Sequence, residues 1–197
     1  MIKPAIALIF AVPLSACISL GGKAPPSLLT LTPASSIAAD QTRTARAGET
    51  IVIMVPTVPQ AIATTRVAVS SGATAIAYIK DAVWVEAPAR LFQRVLSETV
   101  AVKNGKLVLD ARQSFSNPGM QLGGTLLRFG IDADSREAVV IFDALLARGK
   151  DIPLQSRRFE SRVPVSAIEP LPAGKALNQA ANKVSEDVAA WIGAGAK

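Results

Sequence analysis

The sequence predicts an α+β domain: a mostly antiparallel sheet with two main helices packed on one face. Three observations predict it. Residues 125–165 hold three apolar-alternating runs separated by tight turn signals, the pattern of an antiparallel meander. Two segments, Ala87 to Val102 and Ala173 to Ile192, carry apolar residues at spacings of three and four, the stripe of a helix covering a core. The remaining apolar runs are short, β-branched and bounded by Gly or Pro, as strands are.

In chain order, residues 1–16 read as a signal peptide. Lys3 supplies a minimal positive start, and Pro4 to Val12 is an apolar stretch too short to cross a bilayer, which needs roughly 20 residues. Leu14-Ser15-Ala16-Cys17 then reads as a lipobox, in which Cys17 becomes the lipid-carrying first residue of the mature chain. The thiol is the acceptor, so the residue has to be cysteine, and its small neighbours have to fit a narrow peptidase site. Cys17 is the one cysteine in 197 residues, and there is no histidine. A disulfide within the chain and a Cys/His metal site are therefore excluded, and no cofactor is expected. Neither Ile18 nor Ser19 is the Asp that favours inner-membrane retention in enteric bacteria, which points to a periplasm-facing position on the outer membrane. Residues 17–27, with Gly21-Gly22 and Pro25-Pro26, read as a lipidated terminus and a tether reaching at most roughly 30 Å.

Residues 28–197 form the single domain. Leu28 to Thr32 is a candidate first strand, and Pro33 to Gly48, rich in Ala and Thr, a loop. Thr50 to Val55 is a continuous β-branched run suited to a strand covered on both faces, ended by Pro56 and Pro59. Arg66 to Ser71 and Ala75 to Trp84, broken at Gly72, form a hairpin. The first helix places Pro88 in its opening turn and Leu91, Phe92, Val95, Leu96 and Val100 on one stripe, and closes at Asn104-Gly105. Lys106 to Asp110 is a short strand and Gln113 to Gly124 a loop, marked by Asn117-Pro118-Gly119 and Gly123-Gly124. The meander follows: Thr125 to Asp134 with Leu127, Phe129, Ile131 and Ala133 inward, then Ala138 to Ala147, then Leu154 to Val165. Pro170 and Pro172 lead into the last helix, striped by Leu177, Ala181, Val184, Val188, Trp191 and Ile192.

Without Lys3 the mature chain has 20 Lys and Arg against 15 Asp and Glu, a formal +5. The cations are scattered, apart from Arg157-Arg158 with Arg162, and only nine aromatics exist, so nucleic acid is not an expected partner. A basic excess suits anionic lipid head groups or a solvated surface. Arg157, Arg158 and Arg162 read as a charged strand face, with lipid head groups or an acidic partner as the functional alternative. Trp84 and Trp191 lie beside apolar stripes and read as packing residues rather than partner anchors. Asp132, Asp134 and Asp143 are candidate carboxylates for acid–base or cation chemistry, but their outward position beside a turn reads as a solvated face. Ser114, Ser116 and Ser156 have no histidine to activate them, and no catalytic residue is expected.

Val83-Trp84-Val85-Glu86-Ala87-Pro88-Ala89-Arg90-Leu91 resembles the Trp-x-Glu-x-Pro-Ala entry to the first helix of the ABC-type transport auxiliary lipoproteins, the family of the PqiC/YmbA-like proteins. The lipobox, the early strand at Leu28 to Thr32, the run Ile51 to Pro56 followed by Arg66, and the ending Ala190-Trp191-Ile192 match in order and spacing. The chain departs from the pattern at Ile62 to Thr65, where relatives often carry Asp or Tyr. The resemblance implies a non-catalytic partner of an intermembrane lipid-transport system, in which an inner-membrane ATPase and permease work with a periplasm-spanning MCE protein. It implies no catalytic or nucleotide-binding residue for this subunit. It implies the MCE protein and the membrane as partners, and leaves self-association into a ring open. The alternative is a stand-alone lipid-binding or envelope-assembly lipoprotein whose sheet and helices enclose an apolar pocket.

Overall fold

A computed structural model describes residues 27–46, 48–111, 119–149 and 152–194. Cys17 and the rest of the lipobox (Leu14, Ser15, Ala16), together with Ser114 and Ser116, lie outside the described residues. The described elements are β1 (Ile51–Ile53), β2 (Arg66–Ser71), β3 (Ala75–Val83), α1 (Pro88–Asn104), β4 (Val108–Leu109), β5 (Met120–Asp132), β6 (Glu137–Ala147), β7 (Gln155–Pro164) and α2 (Pro170–Ala194). A single 3-10 turn, Gln60–Ile62, sits between β1 and β2.

The α+β class holds, but the sheet is mixed rather than mostly antiparallel. Hairpin β2/β3 and the meander β5/β6/β7 are antiparallel; β1 pairs parallel with β4 and β5, and β2 pairs parallel with β5. The cause is α1. It carries the chain back across the sheet, so β4 and β5 enter beside β1 and β2 in their own direction. Both early strands lie end to end along one side of β5. Ile51 stands opposite Met120, and Ala68 stands opposite Gly130. Between them Thr57 bridges Thr125, and Pro56 and Pro59 push the chain out of the ladder.

Two further corrections concern the strands. Leu28 to Thr32 forms only an isolated bridge, Leu29 to Trp84. Gly123-Gly124, read as loop, lies inside β5, opposite Leu145 and Ala144. Gly124 sits at φ +141°, and a β-carbon there would run into the Asp143 carbonyl, so the glycine is a demand of strand packing and not of a turn. A register shift between Leu126 and Arg128 then resets the phase, which puts Leu126 in the core and leaves Leu127 half-buried.

The helices cover one face. Phe92 of α1 stands edge-on to Phe142 of β6, with ring centroids 5.2 Å apart. On α2, Leu177, Ala181, Val184, Val188 and Ile192 are fully buried. Helix α2 begins at Pro170, about one turn before the expected Ala173, because both prolines fit the first turn, where a missing N–H costs little. Helix α1 ends against Gly105 in the left-handed region (φ 64°).

The loop of residues 33–46 runs as a strap over the outer side of the helices. Asn182 of α2 accepts the Ala34 N–H (2.6 Å) and donates to the Thr32 carbonyl (2.9 Å), so its carboxamide pairs with the strap as a neighbouring strand would. Asn178 accepts the Thr32 N–H (2.8 Å), and Glu98 of α1 accepts that of Ile37 (3.3 Å). Arg43 then donates to the Ala101 and Lys106 carbonyls (3.0 and 2.8 Å), which satisfies the C-terminal end of α1.

Candidate docking surface

The meander brings the acidic candidates to the helix-free face and engages each of them. Asp132 accepts the N–H groups of Asp134 and Ser135 (both 3.2 Å) and pairs with Arg128 at 3.2 Å. The Ser135 N–H is the chief reason its carboxyl lies below the ordinary 3.8, with Arg128 adding to the effect against partial burial. Asp134 accepts the Gly72 N–H (2.7 Å) and so ties the β2/β3 turn to the β5/β6 turn. Asp143 meets Arg158 in a two-pronged pair (2.6 and 2.7 Å), which holds its carboxyl below 3.8 as well. These carboxylates fix turns and balance cations. Among the described residues no cluster of His, Cys, Asp and Glu has the makings of a metal site.

Strand alternation separates the basic trio. The side chains of Arg158 and Arg162 lie on the helix-free face, Arg158 with Asp143 and Arg162 with Glu160 (2.6 Å) and Glu137 (3.4 Å). Arg157 has the parity of buried Phe159 and points to the other side, its guanidinium 5.0 Å from the centre of that ring. The paired guanidiniums leave little uncompensated charge on the helix-free face. Leu145, at 41% exposure, and half-buried Ile141 supply apolar area between the pairs.

The tryptophans differ. Trp84 is buried, edge-on to Phe129 at 5.6 Å, and is a core residue. Trp191 is half-buried, with its ring 5.6 Å from that of Phe159. It lines a groove of about 550 Å³ between β7 and the last turns of α2, together with Arg157, Asp187, Ala190 and Ala194. Asp187 is occupied by Lys183 (2.7 Å). Ser156 lies exposed at the start of the same edge.

One hollow with a mainly apolar lining is small. The hollow between the 3-10 turn and the sheet, lined by Pro59, Ile62, Ala68, Ile76, Leu127 and Arg128, measures about 130 Å³. Small-molecule sites usually hold about 300–1,000 Å³. The space between helices and sheet is filled by the aromatic pairs and the α2 stripe.

Comparison with known proteins gives a consistent picture. The family described as ABC-type transport auxiliary lipoprotein component matches residues 29–189. No curated protein sequence matches the chain. Crystal structures that share the fold include the following two. A Xanthomonas campestris protein of the DUF330 family superposes with a TM-score of 0.70 at 16% identity, covering 84% of this chain and 94% of its own. An uncharacterized protein gives 0.64 at 16% identity, covering 77% and 96%.

Proposed function

The chain belongs to the ABC-type transport auxiliary lipoprotein family, and from that premise we propose that it is the lipid-anchored, non-catalytic docking subunit of an MCE-type intermembrane lipid-transport system. In this reading Cys17 carries the lipid and the domain faces the periplasm from the outer membrane. The observation that carries the proposal is the extent of the family match, which spans the packed unit from Leu29 through most of α2.

The physics of the role is tethering. Two or three acyl chains on Cys17 would make anchoring effectively permanent, since each buried methylene contributes about 0.8 kcal/mol. A domain confined within roughly 30 Å of the membrane meets a partner arriving from the opposite side at high effective concentration. The carboxylates on the helix-free face are committed to ion pairs and turns, which suits a surface for contact better than one for proton transfer. The filled interior weighs against the alternative of a domain enclosing a lipid.

The test is affinity purification of the full-length lipoprotein from gently solubilised envelopes, with mass spectrometry of proteins and lipids. Recovery of an MCE protein with its permease and ATPase supports the proposal. Stoichiometric phospholipid without those partners sinks it in favour of the lipid-binding alternative. Cys17→Ser should leave the melting temperature of the domain unchanged and move the protein from the membrane to the soluble fraction; continued membrane retention would remove Cys17 as the anchor.

A further inference from the structure

Strand β7 ends the sheet: it pairs with β6 and with no other strand among the described residues. The orientation of its free groups follows from one bond. The Val165 N–H donates to the Arg136 carbonyl. The register then runs unbroken from Glu137↔Pro164 to Leu146↔Gln155. In an antiparallel ladder, alternate residues turn their backbone groups to the partner. Phe159, Ser161 and Val163 therefore face β6, while Ser156, Arg158, Glu160 and Arg162 turn their N–H and C=O groups outward. Pro164, which has no N–H to offer, falls on the outward set, as proline does on a strand edge.

Edges of this kind are commonly blunted by charge. Here Arg158 and Arg162 are already paired to carboxylates and turned onto the helix-free face. Beside the outward groups lies the groove of half-buried Trp191, Ala190 and Ala194. Its acidic members, Asp187 and Glu160, are bound to Lys183 and Arg162. Arg157 stacks on Phe159, and no carboxylate among the described residues pairs with it. The groove thus combines a row of free strand hydrogen-bonding groups, an aromatic floor and one uncompensated cation.

We infer that β7 receives an extended, acidic peptide segment of a partner protein as an additional strand. Its backbone pairs with Ser156, Arg158 and Glu160. Its alternate side chains lie against Trp191 and Phe159, and a carboxylate meets Arg157. Strand addition of this type draws affinity from main-chain bonds and specificity from the side chains that point into the groove. The inference deepens the docking proposal, on which it rests, by naming the surface and the chemistry of what docks.

The experiment uses the full-length lipoprotein in detergent and a labelled peptide of about twelve residues in which every second residue is in turn Val or Glu, with Thr between them, so that one face carries both, and a counterpart in which Lys replaces Glu. Binding is read by fluorescence anisotropy, and backbone protection by amide exchange. The acidic peptide is expected to bind at least about tenfold more tightly than the basic one and to slow exchange at Ser156, Arg158 and Glu160. Arg157→Glu should reverse the preference, and Ser156→Pro, which removes an outward N–H and no bond to β6, should weaken binding of both peptides. Equal binding of the two peptides, binding unaffected by both substitutions, or no binding at all would overturn the inference. Each of those results leaves the docking proposal to its own test, recovery of the transporter by the wild-type lipoprotein.

Discussion

Asn182→Ala tests whether the strap is part of the folded unit. Asn182 is 8% exposed and makes three hydrogen bonds: to the Ala34 N–H, the Thr32 carbonyl and the Asn178 carbonyl. A net hydrogen bond contributes about 0.5–1.5 kcal/mol. Alanine returns roughly 0.6 kcal/mol in helix propensity, and the Thr32 and Ala34 groups regain some water once the strap lifts. The expected cost is therefore about 2 kcal/mol. For a domain of this size that lowers the melting temperature by about 4–8 °C. The assay is thermal unfolding followed by circular dichroism, with amide exchange at Ala34 as the local readout. Asn178→Ala is the control: it removes one exposed bond and should cost under about 1 kcal/mol. An Asn182→Ala protein with an unchanged melting temperature and unchanged exchange at Ala34 would refute the reasoning.

Three further outcomes follow from the same geometry. Gly124→Ala should destabilise by about 2–4 kcal/mol in chemical denaturation, because the residue sits at φ +141° against the Asp143 carbonyl; a loss below about 0.5 kcal/mol would mean β5 and β6 separate easily. Phe92→Ala should cost about 3–5 kcal/mol, since it deletes a fully buried ring edge-on to Phe142. Asp132 and Asp143 both have folded pKa values below the ordinary 3.8, so the stability they contribute is complete above 3.8 and is lost as pH falls through the lowered values. A melting-temperature series down to about pH 2 should therefore drop less steeply for the Asp132→Asn, Asp143→Asn double variant than for the wild type.

The parts legible in the sequence were those set by neighbours along the chain. The meander and the β2/β3 hairpin were readable because antiparallel partners follow one another and their tight turns leave Gly, Asp and Ser marks. The helices were readable because Phe92 and Val95, or Val184 and Val188, repeat at helical spacing. The parallel pairing of β1 and β2 with β5 was not readable: it joins segments separated by a whole helix, and no local residue records which strand lies beside which. Gly123-Gly124 misled because a glycine demanded by a close strand crossing looks the same in sequence as one demanded by a turn. The strap left one clue, Asn182, a poor helix former beside the buried stripe of a helix, whose side chain had to be satisfied by something. The groove beside β7 was half legible. Arg157-Arg158 looked like a single patch, yet period-two alternation around inward Phe159 sends the two guanidiniums to opposite faces.

The attachment of the strap bears on how an anchored domain would carry load. A lipid at Cys17 would transmit any pull through residues 18–27 to Leu28 and Leu29. At Leu29 the chain is already locked: its N–H donates to the Val83 carbonyl and its carbonyl accepts the Val85 N–H, both at 2.8 Å. Its side chain packs against Gly174 at the start of α2, where a β-carbon would stand 3.0 Å from it. The load therefore enters the core beside Trp84 before it reaches the strap, and the weaker, part-exposed bonds of Asn178 and Asn182 lie behind that clamp. Opening the clamp would pull buried Leu29 from the core, which costs about 1.5–3 kcal/mol in lost apolar burial alone. A tether fixed in this way can hold a domain against a moving partner while the strap, the helices and the β7 edge keep their geometry.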